Sequence, residues 1–169
     1  MMAKKKTKLP IIKQPKISDE WLNFLWSVAI KARAGFKDEI SGETDCDLQA
    51  HHLIGKANKI LRWIVLENGI SISIGRHKFG AHGSQSRQED FRQAVKKLRG
   101  KDIFDQLYLY KNKVEKIVKS NVEAFLLGQI AEHNEALVNW YQTKSYKTKS
   151  VRDNYEKLFR KLAESKADQ

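Results

Sequence analysis

The placement of histidine constrains this chain more than any other feature of its sequence. Four of its five histidines lie within residues 48–83, as the adjacent pair His51 and His52 and, further on, His77 and His82. A single histidine in an apolar strand is more often a core or surface residue than a ligand. The pattern around these four therefore decides how they are interpreted.

The segment between the histidines predicts a hairpin followed by a helix. The pair His51 and His52 lies in an apolar run that is typical of a short buried strand, with Leu48, Ala50, Leu53 and Ile54. Glu67-Asn68-Gly69 indicates a turn, and the alternation of Ile and Ser over residues 70–74 indicates a half-buried strand. After Gly75 the chain can enter a helix with His77 in its first turn. The order is strand, long loop, strand and helix.

The two adjacent histidines suit two different roles in metal-assisted hydrolysis. That reaction requires an activated water on one side and charge stabilisation on the leaving oxygen. Histidine is the side chain that can act as a neutral base near pH 7. Neighbouring residues of a strand point to opposite faces, so His51 and His52 cannot easily share one role. One can bind a metal while the other takes a proton from water.

This arrangement resembles the HNH family of nucleases, also called the ββα-metal or His-Me finger group. In that pattern a histidine, alone or after another metal ligand, closes the first strand, an asparagine opens the second, and a last histidine follows nine residues later. Here His51 and His52 fill the first position, Asn68 the second and His77 the third, nine residues on. The flanking segments are similar to phage HNH proteins, and the resemblance covers about residues 17–117; the segments are WSVAIKARAGFKDEISG and EDFRQAVKKLRGKDIFDQLYLYKNKVEKI.

The resemblance implies a role for each residue. His51 would bind one divalent metal ion, His52 would be the general base, and His77 would complete the protein ligands. Asn68 would hold, through its side-chain amide, the loop that orients His52, without touching the metal. The implied ion is Mg²⁺, although histidine ligands also suit Mn²⁺, Ni²⁺ or Zn²⁺.

His82 is a further candidate ligand, because some relatives carry a second histidine shortly after the last one and use it on the metal. A spacing of five residues does not stack on the face of an α-helix as three or four would. Gly80 and Gly83 also indicate a broken or frayed helix there. The sequence leaves the role of His82 open.

Many relatives hold a structural zinc beside the hairpin with two pairs of cysteines. Those pairs would fall near residues 38–41 and at Ser73 and Arg76, but this chain has Cys46 as its only cysteine. A structural zinc needs about four ligands. We therefore expect no structural zinc and predict that packing holds the hairpin together, with contributions from Trp63, Ile54 and Ile72.

The formal net charge of +12 suits a polyanionic partner, because each phosphate contact releases counterions. Basicity alone does not separate DNA from RNA or an acidic membrane, but together with a phosphodiesterase pattern it favours DNA. Lys56, Lys59 and Arg62, between the strands, are candidates to contact phosphates that flank the scissile one. Arg62 is the best of them, because a guanidinium can clamp a phosphate with two hydrogen bonds. The alternative is that these three residues lie in a solvated loop and contact no phosphate.

The sequence also limits the cellular location. No apolar run approaches the roughly 20 residues of a membrane span, and the basic N-terminus has no apolar segment behind it. A single cysteine excludes an intramolecular disulfide. We expect a cytoplasmic protein of a phage or bacterial cell, with no membrane partner.

Helices are predicted on both sides of the hairpin. Ser18 caps a helix from residue 19 to about 34, after a flexible basic arm at residues 1–17. Downstream we predict a helix opened by Ser86 and Glu89, one capped by Asp102, a long one over residues 112–143 with a candidate break at Gly128, and a last one opened by Ser150 and Asp153. His133 lies alone in the long helix and is expected at the surface.

The predicted fold class is α+β, with an HNH finger at residues 47–83 inside a mostly helical single domain. The divisions are the arm at 1–17, the nuclease domain at 18–117 and a helical C-terminal extension at 118–169. The helices of the extension could pack on the finger, bind DNA or form a homodimer, and the sequence does not choose between these.

The expected function is a divalent-metal-dependent DNA endonuclease with a single-metal HNH mechanism, in phage DNA recombination or processing. The main alternative is a basic DNA-binding or recombination accessory protein that keeps the finger without cutting. An RNA-binding helical protein is a third reading, although no aromatic stacking platform of the RRM type is visible.

Overall fold

The computed structural model describes residues 16–113, 115–144 and 148–167, and its architecture is α+β. Helices make up most of the described residues, around a two-stranded antiparallel sheet. The predicted class and the mostly helical content are therefore confirmed. Residues 1–15 of the predicted basic arm lie outside the described residues. Within the described part of the chain, no helix has both the length and the apolar character to cross a membrane.

The first helix, α1, spans Asp19–Arg33, close to its predicted bounds. The side chain of Ser18 caps it by accepting a hydrogen bond from the N–H of Trp21 at 3.2 Å. Two acidic residues in the first turn and two basic residues in the last complement the helix dipole. One face of α1 is fully buried, so the helix forms the centre of the molecule.

The hairpin consists of β1, Leu48–His52, and β2, Gly69–Ser73. The strands are antiparallel, and the register pairs His51 with Ile70 and His52 with Gly69. Residues directly opposite each other share a face of the sheet. His51 therefore lies on the face of Ile70, while His52 lies on the opposite face, towards α1.

The connection between the strands, predicted as a long loop, contains the short helix α2, Lys59–Trp63, and a 3₁₀ turn at Leu66–Asn68. Asn58 caps α2, because its side-chain oxygen accepts hydrogen bonds from the N–H groups of Ile60 and Leu61. The connection is thus ordered by its own capping residue and by burial of Leu61 and Trp63.

After β2 the chain forms a single helical turn, α3, Ile74–Arg76, which runs directly into a π-helical turn at His77–Ala81. Helices α4, Gln85–Arg99, and α5, Ile103–Lys111, follow. The N-cap of α4 is Ser84, so the predicted capping box of Ser86 and Glu89 is wrong. Asp102 is the N-cap of α5, as predicted, but its side chain makes no capping hydrogen bond.

The predicted helix over residues 112–143 is wrong, because this segment forms two helices. They are α6, Lys119–Ala131, and α7, Asn134–Thr143. The break comes at Glu132 and His133, while Gly128 lies inside α6. Residues 115–118 are not helical, and residue 114 is outside the described residues.

The last helix, α8, spans Lys149–Ala167. The hydroxyl of Thr148, rather than that of Ser150, accepts a hydrogen bond from the N–H of Val151 in its first turn.

Two apolar clusters hold these elements together. The first joins α1 to α6, α7 and α8, and includes Trp63 from α2. The second lies on the His51 face of the hairpin and joins it to α2, α4 and α5; its members include Ile54, Leu61, Ile70, Ile72, Phe91 and Leu107. The helices predicted as a C-terminal extension therefore contribute to the core around α1. The apolar stripe of α8 is buried there through Tyr155, Leu158 and Leu162.

Candidate metal centre

Three histidines converge where β1 meets the π-helical turn. His51, His77 and His82 each present a ring nitrogen, and these nitrogens all lie within 4.8 Å of one another. Their ring centroids form a nearly equilateral triangle with sides of 5.0, 4.9 and 4.8 Å. A metal at about 2.0–2.1 Å from each nitrogen would bring them to roughly 3.4 Å apart, which small ring rotations can reach. The three imidazoles fit the donor set of a divalent transition metal.

The π-helical turn explains how His77 and His82 meet despite their spacing. The N–H of His82 donates to the carbonyl of His77 at 3.2 Å, an i to i+5 hydrogen bond. This bond stacks residues five apart, whereas an α-helix would separate them around its axis. Gly83 is required directly after the turn, because a Cβ atom there would lie 2.0 Å from the carbonyl oxygen of Phe79. The sequence could not resolve the place of His82, and the local backbone decides it.

The environment of His51 and His77 favours neutral imidazoles. Burial, together with electrostatic repulsion from His77, His82 and His52, lowers the pKa of His51 to about 3. Burial, and then His82, also lowers the pKa of His77. A neutral ring keeps the lone pair that a metal ligand needs, so His51 and His77 are prepared for a metal near pH 7.

His52 lies on the other face of β1, as the alternation of the strand predicts. Its ring stacks on the indole of Trp26 in α1, with centroids 3.7 Å apart and planes within 6°. Its Nε2 lies 3.0 Å from the carbonyl oxygen of Arg62. Because a carbonyl only accepts hydrogen bonds, Nε2 carries the proton and Nδ1 keeps a lone pair. Burial lowers the pKa of His52, and the bond to the Arg62 carbonyl partly opposes that effect.

Asn68 is completely buried and joins β2 to the connection between the strands. Its Oδ1 accepts from the N–H of Ile54 at 2.8 Å, and its Nδ2 donates to the carbonyls of Ile54 and Leu61 at 3.0 and 2.9 Å. Arg33 braces the same turn by donating to the carbonyls of Leu66 and Gly69, both at 2.8 Å. The amide of Asn68 therefore fixes the segment from which the Arg62 carbonyl reaches His52.

Gly69 is needed for the contact between α1 and His52. It lies directly opposite His52 in the hairpin, and a Cβ atom there would be 2.3 Å from Cδ1 of Ile30 and 2.9 Å from Cζ2 of Trp26. The apolar spacing of α1 indicates that Trp26 is buried, but nothing in the sequence indicates its contact with His52. The glycine after Asn68, at the start of a strand that alternates isoleucine and serine, is the signal of a close approach.

The three candidate phosphate contacts differ in their availability. Lys56 and Lys59 are exposed at the start of the connection and at the start of α2. Arg62 has partners within the protein: Nε donates to Oδ1 of Asn23 at 3.1 Å, Nη1 lies 3.8 Å from a carboxylate oxygen of Asp19, and the guanidinium lies over the ring of Trp63. The order of preference that the sequence suggested, with Arg62 first, does not fit these contacts. The two lysines are the freer cations.

His133 lies apart from the cluster, at the junction of α6 and α7. It is the N-cap residue of α7 and is half-buried rather than exposed as predicted. Its position makes it a natural control for the other histidines.

Two acidic residues, Asp38 and Glu39, fasten the segment before β1 to the outer edge of β2. The carboxylate of Asp38 accepts hydrogen bonds from Ser73 and Arg76, and that of Glu39 accepts one from the N–H of Ser71. The sequence predicted that apolar packing alone holds the hairpin together. Ile54 and Ile72 do belong to the apolar cluster on the His51 face of the hairpin, and Trp63 is buried in the cluster around α1. The prediction missed the polar part of the tie. A carboxylate before a strand is a weak sequence signal, because most such groups are solvated.

Comparison of the chain with protein-family models, with curated proteins and with solved structures gives no match. The functional conclusion therefore follows from the side-chain geometry.

Proposed function

We propose that this protein is a divalent-metal-dependent DNA endonuclease of the HNH, ββα-metal type, with its finger at residues 47–83. The observation that carries the proposal is the triangle of His51, His77 and His82 beside His52. Three ligands of one metal and one base, from β1 and from the helical turns that follow β2, are the parts that phosphodiester hydrolysis requires.

The protein side chains divide the chemistry between the two faces of β1. A divalent cation held by His51, His77 and His82 would supply Lewis-acid stabilisation of the negative charge on the phosphoryl oxygens and on the leaving 3′ oxygen. His52 takes the proton of the attacking water at Nδ1, because Nε2 is committed to the Arg62 carbonyl. That carbonyl then stabilises the positive charge that forms on the ring. The stack on Trp26 keeps the ring from rotating.

The donor set also bears on the choice of metal. The resemblance to HNH nucleases implies Mg²⁺, which prefers oxygen ligands and keeps several waters. Three imidazoles suit Mn²⁺, Ni²⁺ or Zn²⁺ better. Activity with Mn²⁺ or Ni²⁺ at concentrations where Mg²⁺ is ineffective would agree with this set.

Nicking of supercoiled plasmid with and without EDTA tests the proposal and separates a nuclease from a non-cutting DNA-binding protein. We expect metal-dependent conversion to open circles. His52→Ala should lose cleavage by roughly 10²–10⁴-fold while it keeps metal and DNA binding. Cleavage by this variant at the wild-type rate would remove His52 as the base.

Metal titration calorimetry tests the ligands separately. His51→Ala and His77→Ala should each weaken Ni²⁺ binding and abolish cleavage, and His82→Ala should weaken both. His133→Ala is the control, because this histidine lies outside the cluster, and it should change neither quantity. Unchanged metal affinity in any of the first three variants would overturn the assignment of that ligand.

A further inference from the structure

The carboxylate of Asp38 is fully buried and completely hydrogen-bonded. Oδ1 accepts from the N–H groups of Ile40 and Ser41 at 2.9 and 3.1 Å. Oδ2 accepts from the N–H of Ser73 at 2.9 Å and from Nε of Arg76 at 3.0 Å. A carboxylate has about four lone-pair sites, so each is used.

The two donors on Oδ2 belong to the segment that leads into the histidine cluster. Ser73 ends β2 and is the N-cap of α3, where its hydroxyl accepts from the N–H of Arg76 at 3.3 Å. Arg76 is the residue directly before His77. The carboxylate thus fixes both ends of the single turn that sets the direction of the π-helical segment.

The position of this segment decides whether three ligands can meet. His51 is held by the pairing of β1 with β2. His77 and His82 lie beyond the end of β2, where strand pairing no longer restrains them. Their distance from His51 therefore depends on the turn at residues 73–76, and Asp38 is the buried charged group that holds that turn to the body of the protein.

Glu39 provides an internal comparison. Its Oε1 accepts from the N–H of Ser71 at 2.9 Å, and its carboxylate pairs with Arg33 and Arg99. These partners join the hairpin to the ends of α1 and α4 and do not include the turn before His77. Loss of the charge at Glu39 should loosen the edge of β2 without changing the orientation of His77 and His82.

We infer that Asp38 is a positioning residue of the metal centre, which holds the turn at residues 73–76 so that His77 and His82 stay in register with His51. The inference rests on the proposed metal centre. Loss of a group that orients metal ligands typically weakens metal affinity by about 10–100-fold. Asn at position 38 keeps the size of the side chain but removes the charge and turns one acceptor into a donor that faces other donors.

The test compares Asp38→Asn with Glu39→Gln in the full chain, by Ni²⁺ calorimetry at a temperature where thermal melts show both variants folded. We expect Asp38→Asn to bind Ni²⁺ about 10–100-fold more weakly than wild type, and Glu39→Gln to bind it as wild type does even where its melting temperature falls further. A second measurement needs no metal: amide exchange of His82, whose N–H donates to His77, should accelerate in Asp38→Asn alone.

Each outcome decides something. Wild-type Ni²⁺ affinity in Asp38→Asn overturns the inference and leaves the proposed function intact. An equal loss in Glu39→Gln also overturns it, since the effect would then be general loosening. Absence of Ni²⁺ binding by the wild-type chain refutes the metal centre, and with it the inference. If Asp38→Asn does not fold, Arg76→Gln removes one of the four donors, and it should weaken Ni²⁺ binding in the same direction by a smaller factor.

Discussion

Replacement of Asn68 by alanine should be among the most damaging single changes in the hairpin. The change removes three hydrogen bonds at a completely buried site. It leaves the N–H and carbonyl of Ile54 and the carbonyl of Leu61 without these partners, where water does not reach. A buried polar group without a partner costs about 1–3 kcal/mol, and carbonyls, which have a second lone pair, fall at the low end. We therefore expect a loss of about 3–6 kcal/mol, against roughly 5–15 kcal/mol for a whole domain.

Asn58→Ala is the matched control. Asn58 also accepts from backbone N–H groups, those of Ile60 and Leu61, and its Nδ2 donates to the carbonyls of Tyr110, Lys111 and Lys113. These contacts are exposed or only partly buried, so water can replace the amide more readily than at Asn68. Loss of an N-cap of this kind costs about 0.5–2 kcal/mol.

The measurement is urea unfolding, monitored by tryptophan fluorescence and by far-UV circular dichroism. The dependence of the unfolding free energy on urea concentration, the slope m, is compared between variants. Cleavage is measured below the midpoint of each variant. Asn68→Ala should also lose activity while it is folded, because the segment that presents the Arg62 carbonyl to His52 is released. If Asn68→Ala leaves the slope unchanged and lowers the unfolding free energy no more than Asn58→Ala does, the buried amide of Asn68 does not have this structural role.

Three further predictions follow from buried contacts. Trp63→Ala should cost about 3–5 kcal/mol, because the indole is 1% exposed, while a zinc-selective chelator should leave the thermal melt of the metal-free protein unchanged. Gly69→Ala should displace Trp26 and so reduce the rate of cleavage far more than Ni²⁺ affinity, which plasmid nicking and calorimetry on the same sample would compare. Burial alone would raise the pKa of Asp38, but the N–H groups of Ser73 and Ser41 and the Arg76 guanidinium outweigh it, so this pKa lies below its ordinary value of 3.8. As the pH falls below 3.8, the unfolded chain takes up the proton before the folded protein does, so the free energy of unfolding should decline. Asp38→Asn should make this decline less steep, which urea titrations at several pH values would measure.

The hairpin and its histidines follow largely from the sequence. Alternation of isoleucine and serine after Asn68 predicts a strand with one apolar face, and strand geometry alone puts His51 and His52 on opposite sides. Likewise, Ser18 before the apolar face of α1 predicts where that helix begins. These features depend on neighbours within a few residues, which a single sequence displays directly.

Tertiary structure decided what depends on partners far apart in the chain. His82 meets His77 only because the backbone adopts a π-helical turn, a choice that no residue pattern around Gly80 announces. Arg62 looked like a free cation because Asn23, its partner, lies 39 residues away. The partners of Asp38, Ser73 and Arg76, lie 35 and 38 residues away in the chain, so only the fold brings them to its carboxylate. Local periodicity predicts which face of a helix or strand is buried. Which residues pack against that face depends on the tertiary structure of the whole chain.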